Sequence, residues 1–265
     1  MAWAGDPIRV MSFNVRYPAK GDGVNVWENR KDLLVAVIRA GGADLIGTQE
    51  LFHLQGAYIA ENAKEYKWFG VSRRGNREDE YSAIFYKPSR LKLLESGNFW
   101  LSETPDKPGS ISWDMSLPRM VTWGLFEARD TKQKFYFYNT HLAHRQQDAE
   151  ARRKSVELIV SRIGKLRAGV PVILTGDFNA PATNELHGLV EAAGLADAWQ
   201  QSPVRLGGEN TFHGFTGMSE RPRRIDWIFS RGMRALVSET MRQHSQDGKY
   251  PSDHFPVLAV FDFAR

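Results

Sequence analysis

A layered α/β fold, with two sheets inside and helices outside, is what this 265-residue chain predicts, and three observations predict it. Short apolar runs rich in β-branched and aromatic residues recur along the chain, most of them ending at a polar residue. Amphipathic helical stretches fall between them irregularly, and the runs 120–128 and 134–140 are joined by Arg129-Asp130-Thr131, a hairpin signature. That mixture disfavours a doubly wound parallel sheet. No internal repeat and no composition break marks a linker, so residues 1–265 read as a single domain.

Residues 8–15 form the first expected strand, with Asn14 at its end. A polar, Gly-containing loop follows. Residues 27–40 then put Leu33, Leu34, Val37 and Ile38 on one helical face, and Gly41-Gly42 ends the helix. Residues 43–48 are a second buried strand that delivers Gln49-Glu50, and Leu51, Leu54 and Tyr58 suggest another helix. Residues 73–80 are a charged loop, 81–87 a strand closed by Pro88, and 91–102 a strand pair or hairpin. Pro105, Pro108 and Gly109 mark 104–112 as loop. Residues 146–166 are the clearest helix, striped by Val156, Ile159, Val160, Ile163 and Leu166. Strands are expected at 224–229, 235–240 and 255–263, with a loop at 207–217.

The stretch 172–185 organises the rest. Val172–Leu174 make a buried strand, and Asp177 and Asn179 then project together from its end, because alternate side chains of an extended chain point one way. Pro181 stops the extension, and Thr183 or Asn184 caps a helix carrying Leu186, Leu189, Val190 and Ala193. An Asx turn is the plain alternative.

Composition excludes several chemistries. Absence of Cys rules out disulfides, thiolate catalysis and cysteine-ligated metal sites. Apolar content of 42% and charged content of 25% are those of an ordinary globular protein. A net charge of +4 and a pI near 9.2 suit an anionic substrate. The local clusters Arg73-Arg74-Arg77, Arg152-Arg153-Lys154 and Arg221-Arg223-Arg224 read mainly as solvated faces. No apolar stretch approaches the ~18 residues of a membrane span, so a soluble, monomeric protein is expected. Its compartment is left open. Ala2-Trp3-Ala4 before Gly5 resembles the end of a trimmed export leader, which sets an exported protein beside a cytoplasmic one.

Asn14, Glu50, His141, Asp177, Asn179, Asp226, Asp253 and His254 all lie at or beside strand ends. Each has an ordinary explanation: a turn residue, a helix-start acid, a core histidine, a surface ion pair. Their coincidence points instead to metal-assisted phosphoryl transfer. Glu50 offers a hard oxygen ligand for Mg²⁺ or Mn²⁺, with Asn14 or Asp253 completing the shell. His254 is placed as general base and Asp226 as its orienting acid. Asp177 and Asn179 position water and bind a phosphate oxygen, and His141 donates to another.

Six segments carry a resemblance to the endonuclease/exonuclease/phosphatase superfamily: Ser12-Phe13-Asn14, Thr48-Gln49-Glu50, Asn139-Thr140-His141-Leu142, Gly176-Asp177-Phe178-Asn179, Arg224-Ile225-Asp226-Trp227-Ile228-Phe229 and Ser252-Asp253-His254-Phe255-Pro256. They run in the family's order and span nearly the whole chain. The resemblance implies a four-layer α/β sandwich: two mixed, mostly antiparallel sheets packed face to face with helices outside. It also implies Mg²⁺-dependent hydrolysis of a P–O bond, with the metal at Glu50 and Asn14, water and phosphate handled by Asp177 and Asn179, and Asp226, Asp253 and His254 forming the base system. His at position 141 resembles the deoxyribonuclease and nocturnin-like branches, and the segments 99–105 and 113–119 resemble bacterial members nearer nocturnin.

The substrate is less defined. Arg119 is a candidate phosphate clamp, with an ordinary surface arginine as the equal alternative. His144 and Arg145 follow His141 closely enough to line the same rim, and His213 sits on a loop that could contact a leaving group. A nuclease acting on DNA or RNA is favoured by the basic pI. A phosphatase or diesterase of a small or lipid-linked ester comes next, and it should show a closed pocket around Arg119. A non-catalytic binding protein on the same scaffold is the alternative of another class.

Overall fold

The computed structural model describes residues 5–218, 223–245 and 247–263. The leader-like Ala2-Trp3-Ala4 and Arg221 of the third basic cluster lie outside them. In chain order the first half contains β1 (Ile8–Asn14), α1 (Trp27–Gly41), β2 (Leu45–Gln49), α2 (His53–Asn62), β3 (Lys67–Phe69), β4 (Ile84–Tyr86), β5 (Leu91–Trp100), β6 (Met120–Ala128) and β7 (Lys134–His141). The second half contains α3 (Ala149–Gly164), β8 (Val172–Asp177), α4 (Glu185–Ala192), β9 (Ala196–Asp197), α5 (Ala198–Gln201), β10 (Val204–Leu206), β11 (Asp226–Arg231), β12 (Met233–Thr240) and β13 (Val257–Phe263).

The strands form two sheets, ordered β10-β12-β13-β1-β2-β4-β3 and β5-β6-β7-β8-β11-β9. Pairing is antiparallel except for β1 with β2, β7 with β8 and β10 with β12. Three apolar clusters separate four layers. Ile8, Val10, Phe126 and Phe137 meet between the sheets. Phe13 and Ile46 pack under Leu34 and Ile38 of α1, while Leu174 and Phe229 pack under Val156 and Ile159 of α3. The expected α/β sandwich is therefore present. Among the described residues no helix is long and apolar enough to cross a membrane.

Local signals explain most boundaries. Gly42, at φ 61°, ends α1 in the left-handed conformation that glycine adopts without a Cβ clash. Asn184 caps α4 by accepting from the Leu186 N–H at 3.1 Å. Residues 91–102 hold no hairpin of their own: β5 is one continuous strand on β6, because a bulge between Leu93 and Glu95 absorbs the break in alternation. Residues 146–148 form a 3₁₀ turn, so the helix expected over 146–166 is the α-helix Ala149–Gly164. The expected strand at 81–87 shortens to β4, and Tyr81 makes isolated bridges to Leu51 and Ser72.

Below the strand ends a buried polar bridge joins the two sheets. The Gln49 amide donates to Asn139 Oδ1 at 2.7 Å, and Asn139 donates to the Thr48 and Ala83 carbonyls at 2.8 and 3.0 Å. Thr175 Oγ1 lies 3.1 Å from the same Asn139 oxygen. Gly47 permits this contact, since a Cβ there would stand 2.4 Å from Thr175 Oγ1.

Candidate active site

The two parallel pairs β1/β2 and β7/β8 deliver their C-terminal ends to one edge of the sandwich, and β11 and β13 begin there. Asn14, Glu50, His141 and Asp177 arrive from the first four strands, Asp226 from the start of β11, and Asp253-His254 from the turn before β13. Register places His141 and Asp226 on either side of Asp177. Glu50, His141, Asp177, Asp253 and His254 line a pocket of about 730 Å³, walled further by Arg16, Tyr17, Phe52, Glu80 and Arg119, among others, while Asn14 and Asp226 stand behind its wall.

Asp177 is the hub. Its Oδ2 accepts from Asn14 Nδ2 at 3.0 Å and lies 3.5 Å from His141 Nε2 and 3.8 Å from His254 Nε2. Its Oδ1 accepts the Asn179 N–H at 2.9 Å, and the Asn179 amide donates to the Leu142 carbonyl at 3.0 Å. Burial, reinforced by Asp226, pushes the Asp177 carboxyl up to about 7.

His254 Nδ1 and Asp226 Oδ2 are 2.9 Å apart, and among the described residues Asp226 Oδ1 has no hydrogen-bond partner. Burial opposes a charge on this imidazole, but Asp226, Asp177 and Asp253 outweigh it and raise His254 to about 10. The donor atoms of Asp177, Asp226 and His254 all lie within 4.8 Å of one another, a spacing able to hold a cation. The short His254–Asp226 bond instead commits the ring to a proton.

The Glu50 carboxylate accepts from Asn14 Nδ2 and from the Tyr17 N–H, each at 3.1 Å. Arg16 lies 3.9 Å from both Glu50 and Asp253. Burial pushes the Asp253 carboxyl up against the pull of His254, and Glu50 adds to the rise. Two carboxylates crowded together are hard oxygen donors of the type that Mg²⁺ or Mn²⁺ takes, and an added cation would relieve their repulsion. Asn14 turns its NH2 to Glu50 and its oxygen to the Arg16 N–H, so it orients the acid. The residues fit a divalent ion.

Arg119 is buried, 4% exposed, with its guanidinium 3.1 Å from His144 Nδ1, so it belongs to the pocket and not to the surface. Arg145 points away: it grips Asp148 at 2.6 Å and the Asp114 carbonyl at 2.6 Å. His213 also misses the pocket. It packs on the Phe255 ring at 4.0 Å, and its neighbour Phe212 lines the site. Burial lowers His213 to about 4.

Three further residues carry no motif signal. Glu80 lies 3.9 Å from His141 Nδ1 and 2.8 Å from Arg73. Despite that arginine, burial and the charge of Glu50 raise it to about 7. Arg16 is fixed beside Glu50. Arg30, 2% exposed, donates to the carbonyls of Val15, Arg16, Tyr17, Asn25 and Pro251 at 2.7–3.4 Å. Its place was readable: Trp27, Arg30 and Leu34 share one helical face, so an arginine stands in an apolar stripe. Arg16, Glu50 and Asn179 have positive φ of 55°, 57° and 49°, so backbone strain is present at the site.

The family model described as Endonuclease/Exonuclease/phosphatase family matches residues 11–254. The chain belongs to the endonuclease/exonuclease/phosphatase family. A solved mannosyl-6-phosphatase of Bacteroides thetaiotaomicron is 32% identical, with 97% of this chain and 100% of that one covered and a TM-score of 0.90. A protein of Acanthamoeba polyphaga mimivirus is 31% identical over 96% of this chain and 100% of its own length. Human nocturnin is 22% identical over 98% of this chain, which spans 66% of nocturnin's length. The solved nocturnin catalytic domain shares the fold at a TM-score of 0.76. Within the family, the chain stands on the nocturnin-like side.

Proposed function

We propose that this protein is a divalent-metal phosphoesterase whose preferred substrate is a small phosphate ester. The carrying observation is the pocket: about 730 Å³, the size of a small-molecule site, with Arg119 sunk into its wall. The mannosyl-6-phosphatase among the relatives supports the same reading. The basic pI supports DNA or RNA as a second reading.

Glu50 and Asp253 would hold the ion, with Asn14 keeping Glu50 and Asp177 in fixed relation. When bound, the ion polarises the phosphoryl group and neutralises charge that develops there. Asp177 and Asn179 orient the attacking water. His254, steered by Asp226, takes its proton once the acid charge around the ring is countered. His141 stays neutral because burial and the positive charge of Arg119 and Arg73 hold it well below the usual histidine range. It hydrogen-bonds a phosphate oxygen without adding charge, while Arg119 supplies a cation to the same group.

The test is hydrolysis of p-nitrophenyl phosphate, bis-p-nitrophenyl phosphate, mannose 6-phosphate, and single- and double-stranded DNA and RNA, with Mg²⁺, Mn²⁺ or EDTA. His254→Ala serves as control. EDTA-sensitive, His254-dependent turnover of small esters is expected. Faster cleavage of polymers would replace this reading with a nuclease, and no turnover with either metal would favour a binding protein.

A further inference from the structure

We propose that Arg16 is a specificity-determining residue through which the pocket selects phosphomonoester dianions over diester monoanions. The inference rests on the phosphoesterase reading above and adds the charge class of the substrate.

Arg16 is a built feature. Its backbone sits at φ 55°, a conformation unfavourable for arginine. Its carbonyl is held by Arg30 at 2.7 Å and by the Gln55 amide at 2.9 Å. Its N–H donates to Asn14 Oδ1 at 3.0 Å. Asp22 grips the guanidinium at both Nε and the NH2 nitrogen, at 3.0 and 2.7 Å, and the group lies 4.4 Å from the Tyr17 ring centre. These contacts remove the freedom a surface arginine normally keeps. The remaining nitrogen, NH1, stands 3.9 Å from Glu50, and Arg16 lines the pocket. That is too long for a hydrogen bond and leaves donors for a ligand oxygen.

The other pocket arginines differ. Arg223 is exposed, Arg73 is engaged by Asp79 and Glu80 at 2.9 and 2.8 Å, and Arg119 enters just before β6 beside His144. Arg16 alone among these four enters from the end of β1, beside Glu50 and Asp253. Monoesters and diesters share two non-bridging oxygens; a monoester has a third, which carries its second charge. A preorganised guanidinium at the end of β1, with Arg119 supplied beside the other sheet, offers a partner for that third oxygen.

The experiment measures binding, so it does not depend on turnover. Inorganic phosphate and dimethyl phosphate are titrated calorimetrically into the full protein in saturating Mg²⁺ at pH about 8, where phosphate is mainly dianionic. The wild type should prefer phosphate, and Arg16→Gln should reduce that preference by about tenfold or more. Arg16→Lys should keep part of it, and Asp22→Asn, which frees the guanidinium, should fall between. Asp22→Asn and Arg16→Lys carry the test if Arg16→Gln fails to fold. A wild type without preference, or variants that weaken both ligands by one factor, overturns the proposal. Arg16-dependent selectivity without ester hydrolysis would sink the activity reading alone. Hydrolysis with a preference indifferent to residue 16 would sink this inference alone.

Discussion

His254 and His141 occupy one pocket, are 4% and 5% exposed, and approach the same Asp177 oxygen at 3.8 and 3.5 Å. Yet one is held up near 10 and the other well below the ordinary histidine value. Burial alone lowers both. The difference lies in what stands behind each ring: Asp226 at 2.9 Å behind His254, and Arg119 with Arg73 around His141. Neighbouring charge, not depth, assigns the proton. The fold thereby places a charged and a neutral imidazole on either side of one carboxylate.

The sharpest break of that comparison is to remove each ring. His254→Ala should lower kcat about 10³-fold, within the usual range for loss of a proton-transfer group. His141→Ala should cost about tenfold to a hundredfold. Steady-state kinetics in Mg²⁺ with folding checked by circular dichroism reads both, and equal losses would undo the division of roles. Glu50→Gln acts on the acid side alone. It should weaken Mn²⁺ binding by about tenfold to a hundredfold in a spin-resonance titration, with the rate partly recovered at excess metal. Unchanged affinity would move the metal elsewhere.

Asp226→Asn should bring the His254 titration in EDTA down by at least about one unit, worth ~1.4 kcal/mol, and leave His141 in place. Imidazole resonances in NMR report each ring separately. Because folding raises the His254 pKa from 6.5 to about 10, its stabilising contribution is fully present below 6.5 and disappears as pH rises through about 10. The stability penalty of Asp226→Asn should therefore be greatest near pH 6. Smallest is the effect of Glu80→Gln. A carboxyl raised from 4.5 to about 7 loses stability for the fold as pH climbs through that window. The variant should gain about 1 kcal/mol at pH 8 and nothing below 4.5, and chemical denaturation that shows no pH-dependent gain would contradict the placement of Glu80.

The motif residues were legible because each lies at a strand end that periodicity defines: Asn14, Glu50, His141 and Asp177 follow apolar runs directly. The elements that escaped have little sequence to read. β3, β9 and β10 are three, two and three residues long, too short for a period. Their places are set by pairing partners, as β3 is by β4. Glu80 escaped because a charged loop hides a single acid; only the fold brings it to His141. Arg145 and His213 were misplaced for the converse reason. Nearness in sequence to His141 or to a loop says nothing of direction, and Asp148 and Phe255 turned them aside.

Arg30 also bears on the order of assembly. One buried side chain ties the carbonyls of Val15 and Arg16 to that of Pro251, and Ser252 Oγ donates to the Asn14 carbonyl at 2.7 Å. The partners of this knot stand more than two hundred residues apart, and β13 pairs directly with β1. During synthesis, the first half of the pocket must therefore wait, with its arginine unanswered, until Pro251 and β13 have left the ribosome. Premature termination before Pro251 leaves a chain that carries Glu50, Asp177 and Asp226 yet lacks Asp253, His254 and the strand that pairs with β1.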